Sequence, residues 1–108
     1  MSDCVFCKIV SGDIPSKLVA ETEHCVAFND IAPRQPIHVL VVPKKHYENV
    51  AELAEHDQEA LVDLMRLGSR LAGELSTGSF RFTFNTGAEA GQSVFHAHGH
   101  ITSTTPNK

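Results

Sequence analysis

Three histidines, His96, His98 and His100, stand two residues apart near the end of the chain. Successive side chains of extended backbone alternate sides, so this spacing turns all three imidazoles to one face. Phe95, Ala97, Gly99 and Ile101 fall on the other, a small and apolar set suited to packing on neighbouring backbone. An imidazole face buried without partners is costly, so it must stay accessible or be hydrogen-bonded. Three readings follow: a solvated strand with incidental histidines, a metal site, or nucleophilic catalysis. Residues four apart along a strand are separated by about 13 Å, awkward for three rings reaching one ion at about 2 Å, although adjacent members can share one. For catalysis, an imidazole of ordinary pKa, about 6.5, is largely neutral and nucleophilic near physiological pH. It can take a phosphoryl or nucleotidyl group and so split one displacement into two easier ones. The central His98 is the natural nucleophile, its neighbours holding the tautomer that leaves a lone pair for phosphorus. Gly87 to Ser93, directly upstream, offers backbone N–H groups and the Ser93 hydroxyl to phosphate oxygens, though taken alone it is an ordinary Gly-containing connection.

A second set lies at the other end, in Cys4-x-x-Cys7. By itself the pair is compatible with redox chemistry, metal binding or coincidence, and the redox reading lacks the βαβ context that would support it. Three cysteines in 108 residues suit reduced thiols or a metal site better than a disulfide framework, and Cys25 reads as packing. His24, His38 and His56 have no comparable partners and read as surface or satisfied interior residues. Lys44 and Lys45 read as a solvated pair at a strand end. A net charge of −4 excludes a general nucleic-acid binder, which needs many Lys and Arg contacts, but leaves small anionic substrates open. No segment has the order of a signal peptide, and no apolar run approaches the roughly 20 residues that span a bilayer. The expectation is a cytoplasmic protein with no membrane partner.

These residues need elements to position them. Val5 to Val10 reads as a short opening segment that a turn around Gly12, Asp13 and Pro15 ends. Leu18 to Glu21 and Cys25 to Asn29 suit a hairpin, and Ile37 to Val42, β-branched and apolar until Pro43, is the best buried strand. From about Asp57 to Leu75 apolar residues recur at three and four, the mark of one amphipathic helix. Phe80 to Phe84 alternates with period two, which places three phenylalanines on one face of a strand. The final strand is expected over about Val94 to Ile101, with a frayed tail from Thr102 to Lys108. Short strands with one long helix, not strictly alternating, favour an α+β domain with an antiparallel sheet, a single domain over residues 1–108.

The run Gln92-Ser93-Val94-Phe95-His96-Ala97-His98-Gly99-His100-Ile101 resembles the signature of the histidine triad family. So, in the family's order, do Cys4 to Val10, Gly12 to Pro15, Ala27 to Pro33 and His38 to His46, and the resemblance covers about residues 3–101. It is closer to the Hint-like nucleoside phosphoramidases than to the dinucleoside polyphosphate hydrolases or the uridylyltransferases. The resemblance implies a sheet of about five strands with one long helix and a short N-terminal helix. It implies that His98 attacks an α-phosphate of a purine nucleotide or nucleoside phosphoramidate, that Ser93 assists near the leaving group, and that His96 and His100 orient and stabilise. Asn85, Gly91 and Gln92 match the phosphate and leaving-group side. Phe28, Asn29, Asp30 and Ile31 match the wall that receives base and ribose, with Asp30 as ribose anchor. Bacterial-type members with the same N-terminal pair bind zinc, which here implies Cys4, Cys7, His46 and His96 as a closed structural site. The family also implies a homodimer built on the long helix and a sheet edge. Gly99 stands where the family usually has a bulkier spacer, and the sequence after Ile101 lacks its usual continuation, which puts leaving-group preference in question. The rival functions are dinucleoside polyphosphate hydrolysis and non-catalytic nucleotide binding as an interaction module.

Overall fold

In the computed structural model, residues 4–107 are described. The elements are α1 (Val5–Ser11), β1 (Leu18–Glu21), β2 (Cys25–Asn29), β3 (Ile37–Pro43), α2 (Val50–His56), α3 (Gln58–Leu75), β4 (Arg81–Thr83) and β5 (Gly99–Ser103). The strands form one antiparallel sheet in the order β1-β2-β3-β5-β4, so the class is α+β as expected. Every residue of β3 is buried, which fits its place in the middle of the sheet. Alternation along β2 and β3 sorts the core into two layers. Cys25, Ala27, Val39 and Val41 pack with Leu64, Leu67 and Leu71 of α3, while Val26, Phe28, Leu40 and Val42 pack with Phe6 of α1. Cys25 is the packing residue expected, and burial beside Asp63 pushes its thiol up to about 12.

Side chains set the boundaries of the helices. The Asp57 carboxylate accepts from the N–H of Ala60 and starts α3 one residue inside the expected limit. The helix α2 was not expected. Its signal is Asn49-x-x-Glu52: Asn49 Oδ1 accepts from the Glu52 N–H at 2.9 Å, and Glu52 Oε1 accepts from the Glu48 N–H at 2.6 Å, close to a capping box. From α3, Asp63 accepts from the Thr22 hydroxyl and the His24 N–H, tying the β1–β2 turn to the helix.

Three expectations need correction. The last strand starts at Gly99 rather than Val94, because the Ala97 N–H donates to the Tyr47 carbonyl at 2.6 Å and pairing with β3 begins only at Gly99 opposite Val41. It runs on to Ser103, and the tail is tied rather than frayed. Thr77 donates to the Thr105 carbonyl and Asn107 to that of Leu75, while Lys108 lies outside the described residues. The Phe80–Phe84 strand shortens to Arg81–Thr83, with Phe82 and Phe84 stacked at 5.0 Å over the core and Phe80 left on the surface.

Candidate active site and metal site

Although His96 and His98 precede the strand, their rings stay side by side on the α1 face of the sheet. Phe6 meets both edge-on, with centroids 6.0 and 5.0 Å away, and His98 is 4.9 Å from His100. Backbone carbonyls fix the tautomers, because a carbonyl can only accept. His96 donates from Nε2 to the Pro43 carbonyl at 2.8 Å, so its Nδ1 keeps the lone pair. His98 donates from Nδ1 to the His96 carbonyl at 2.7 Å, so its lone pair is on Nε2. Burial holds all three rings neutral. It lowers His96 to about 4, helped by His46 and His98, and His100 to about 4, helped by His98 and His38. His98 is also lowered by burial, against the opposing pull of the His96 carbonyl and of Asp30.

His38, which sequence reasoning set aside, belongs to this group. Its Nδ1 accepts from the Arg34 N–H at 3.2 Å, so its proton sits on Nε2. That N–H faces His100 Nδ1 at 3.0 Å and Asp30 Oδ2 at 3.3 Å. His100 Nδ1 therefore accepts, and its own proton is on Nε2. Asp30, His38 and His100 also lie close enough to share an ion, but a ligand needs a lone pair on His38 Nε2. The Arg34 amide holds that proton in place. The signal for His38 was its position in β3, where it shares a face with Leu40 and Val42.

Two cavities meet at His98. One, of about 270 Å³, is apolar, with Val5, Phe6 and Ile9 of α1 facing Phe28, Asn29 and Ile31. The other, of about 650 Å³, carries Arg34, Thr83, Asn85 and Gly91. Ser93, Asp30, His98 and His100 border both. The residues expected at the site thus come together around the two cavities, except His96, which is fully buried and reaches the site only through its carbonyl on His98, and Gln92. Its buried amide is spent on the loop, accepting from the Gly87 N–H and donating to the carbonyls of Glu48 and Val94. The wall contributed by α1 was not expected; a seven-residue segment carries too little periodic signal to show which way Val5 and Phe6 point.

Beyond Phe6, Cys4 and Cys7 converge on two histidines. His96 Nδ1 lies 3.4 Å from each sulfur, and Cys7 Sγ lies 3.2 Å from His46 Nδ1. All four donor atoms fall within 4.8 Å of one another. Tetrahedral zinc with bonds of about 2.3 Å to sulfur and 2.0 Å to nitrogen puts such S···N edges near 3.5 Å. The lone pair of His96 already points at the two sulfurs, and Cys4 Sγ accepts from the Cys7 N–H at 3.4 Å. The donor set fits a metal.

Residues 3–108 match a family described as the C-terminal binding domain of the scavenger mRNA decapping enzyme. A HIT-like protein of Methanocaldococcus jannaschii is 42% identical over 98 residues, 91% of this chain and 76% of that protein. A HIT family hydrolase from Clostridium thermocellum superimposes with a TM-score of 0.87 at 38% identity, covering 94% of this chain and 90% of that one. A histidine triad protein from Clostridium difficile does so with a TM-score of 0.86 at 37% identity, over 100% of this chain and 93% of that one.

Proposed function

The chain belongs to the histidine triad family, and on that premise we propose that it hydrolyses a purine nucleotidyl bond, best a nucleoside phosphoramidate, through a nucleotide bound covalently to His98. The observation that carries this reading is the tautomer of His98. Its Nδ1 proton is committed to the His96 carbonyl, and its Nε2 lone pair is carried by a ring that borders both cavities.

Attack of Nε2 on the α-phosphorus forms a P–N bond to the ring and breaks the bond to the leaving amine, which departs with a proton passed by the Ser93 hydroxyl or solvent. The ring is then cationic. The His96 carbonyl and the nearby Asp30 charge, both of which favour the cationic form, stabilise it. Water then attacks phosphorus and breaks the P–N bond, its proton returning to the Ser93 oxygen or to solvent, which releases the nucleotide and restores neutral His98. The His100 Nε2–H, Asn85 and the backbone near Gly91 serve the phosphate oxygens. The apolar cavity takes the base, and Asp30 accepts from the ribose hydroxyls. Gln92 acts by shaping the loop. The whole stretch works as one domain.

Cys4, Cys7, His46 and His96 hold zinc in this reading, as a closed site that ties α1 to the approach of β5 and leaves His98 and His100 free. A thiolate pair of this kind suits a reducing compartment such as the cytoplasm. The edge position of β4 and the half-exposed Val62 and Met65 of α3 offer surfaces through which a homodimer would form.

Enzyme quenched during turnover of adenosine 5′-phosphoramidate should carry a nucleotide-sized adduct on His98, and His98→Ala should be inactive while still binding AMP. Full activity in His98→Ala would refute the assignment. Tight nucleotide binding with no turnover by the parent protein would instead point to a binding module, and a higher kcat/KM on a dinucleoside polyphosphate would move the substrate to that class.

A further inference from the structure

Between Cys4 and Cys7 stand only Val5 and Phe6. Cys4 is the N-cap of α1 and Cys7 lies in its first turn, so a single turn carries both sulfurs. Each lies 3.4 Å from the same atom, His96 Nδ1, and the two sulfurs are within 4.8 Å of one another. A disulfide needs an S–S separation of about 2.05 Å, which side chains already converging on one point reach mainly by turning about their Cα–Cβ bonds. Both cysteines are half-buried and His46 beside Cys7 is exposed, so small solutes reach the pair from solvent. The third thiol differs. Cys25 is fully buried in the sheet with its thiol pushed up to about 12, and a thiol kept protonated and covered is inert.

What the two sulfurs tie together decides what their oxidation does. As zinc ligands with His46 and His96 they fasten α1 to the body of the fold, Cys4 and His96 being 92 residues apart. Joined to each other, they fasten one turn of α1 only to itself. Two imidazoles then remain of a four-ligand closed site, too few to retain the metal. Phe6, between the cysteines, meets Phe28, His96 and His98, and with Val5 and Ile9 it walls the apolar cavity. A change at sulfur therefore reaches the nucleoside wall through the backbone of the same turn.

We propose that Cys4 and Cys7 are a redox-modification site, at which a hydroperoxide joins the two sulfurs, frees zinc and opens the wall that receives the nucleoside. This rests on the reading that the four donors hold zinc. One thiolate attacks the peroxide and breaks its O–O bond, giving a sulfenic acid and hydroxide. The second thiolate attacks that sulfur, forming the S–S bond and expelling the sulfenic oxygen as hydroxide. Two thiolates and one hydrogen peroxide thus become one disulfide and two hydroxides, which solvent protonates. The sulfurs give up the two electrons that the peroxide gains.

The test starts from zinc-loaded protein of measured metal content, to which hydrogen peroxide is added. A metallochromic dye should read about one equivalent of zinc released per chain. In step with that, the chain should become lighter by two hydrogens and yield a peptide in which Cys4 and Cys7 are bridged, while Cys25 stays open to alkylation after denaturation. AMP affinity should fall at least severalfold, and dithiothreitol with zinc should restore it. In Cys7→Ser, peroxide should leave AMP affinity where the substitution puts it. Zinc and thiols that survive excess peroxide, a bridged pair with unchanged AMP affinity, or a peroxide response that persists in Cys7→Ser would overturn the switch and leave the zinc reading standing. A chain that takes up no zinc before oxidant is added would overturn the zinc reading and the switch with it.

Discussion

Each ring in the row of histidines has one nitrogen committed and one presented, and backbone groups impose the choice. His98 answers to the His96 carbonyl, His96 to the Pro43 carbonyl and His38 to the Arg34 amide, with His100 set in turn by His38. His38 is therefore a positioning residue that acts through His100. Replacing it by Leu removes the donor to His100 Nδ1 and to Asp30, and frees the ring to turn over to the other tautomer. Losing one such buried partner is worth about 1–2 kcal/mol, so kcat should fall roughly tenfold, with His38→Gln recovering part of it and AMP affinity changing little. Unchanged kcat in His38→Leu would refute the role. The burial that keeps His100 neutral also has a stability consequence. Its folded pKa, about 4, lies below the unfolded value near 6.5, so between these limits the unfolded chain binds more protons. Stability should therefore fall as pH drops from about 6.5 toward 4, and His100→Asn should lose less between pH 7 and pH 5 in urea titrations than the parent. A steeper loss in the variant would contradict this origin.

At the scale of elements, the unusual spacer Gly99 is explained by what lies across from it. A Cβ at Gly99 would come within 2.3 Å of Phe82 Cε1 and 2.9 Å of Phe84 Cε1, and one at Gly68 on α3 within 2.4 Å of Phe82. Phe82 thus occupies volume between the helix and β5 that two glycines leave open. Gly99→Leu should cost about 1–3 kcal/mol by overpacking, and Phe82→Leu should recover much of it in the double variant. Additive losses in thermal denaturation would sink that explanation. The same cluster shows where sequence reading stops. Periodicity sufficed for β3 and α3, whose apolar residues recur over long enough runs to fix a face. The histidine spacing did place three rings on one face, but the strand expected to carry them begins only at Gly99, because a long-range bond from Ala97 to Tyr47 takes up the backbone first. The tail is held by equally distant partners, Leu75 and Thr77, that no local pattern announces. The role of His38 is not legible locally because its partners are 62 residues away and in the loop before it, whereas α2 carries a legible cap in Asn49 with Glu52.

For the molecule as a whole, α1 joins the two chemistries. Seven residues are too few for a helix to stand alone in water, so its place depends on what anchors it. One anchor is Phe6, wedged against Phe28 at 5.5 Å and against His96 and His98. The other is the four-donor cluster, which takes Cys4 and Cys7 from the helix start and His46 and His96 from the body of the fold. Since Val5, Phe6 and Ile9 line the apolar cavity, whatever loosens the helix also dismantles that wall and withdraws support from His98. Zinc bound there should stabilise the folded state in proportion to its affinity, because the unfolded chain does not gather the four donors. Stripping the metal with a chelator at neutral pH should therefore lower the melting temperature by several degrees and speed hydrogen exchange at the α1 amides of Lys8 to Ser11. It should weaken AMP binding at least severalfold, and zinc should restore all three, while Cys7→Ser should reproduce the stripped state without a chelator. Protein that holds stoichiometric zinc yet shows the same α1 protection and AMP affinity after its removal would mean that Phe6 alone seats the helix. The metal would then have no part in shaping the nucleoside wall.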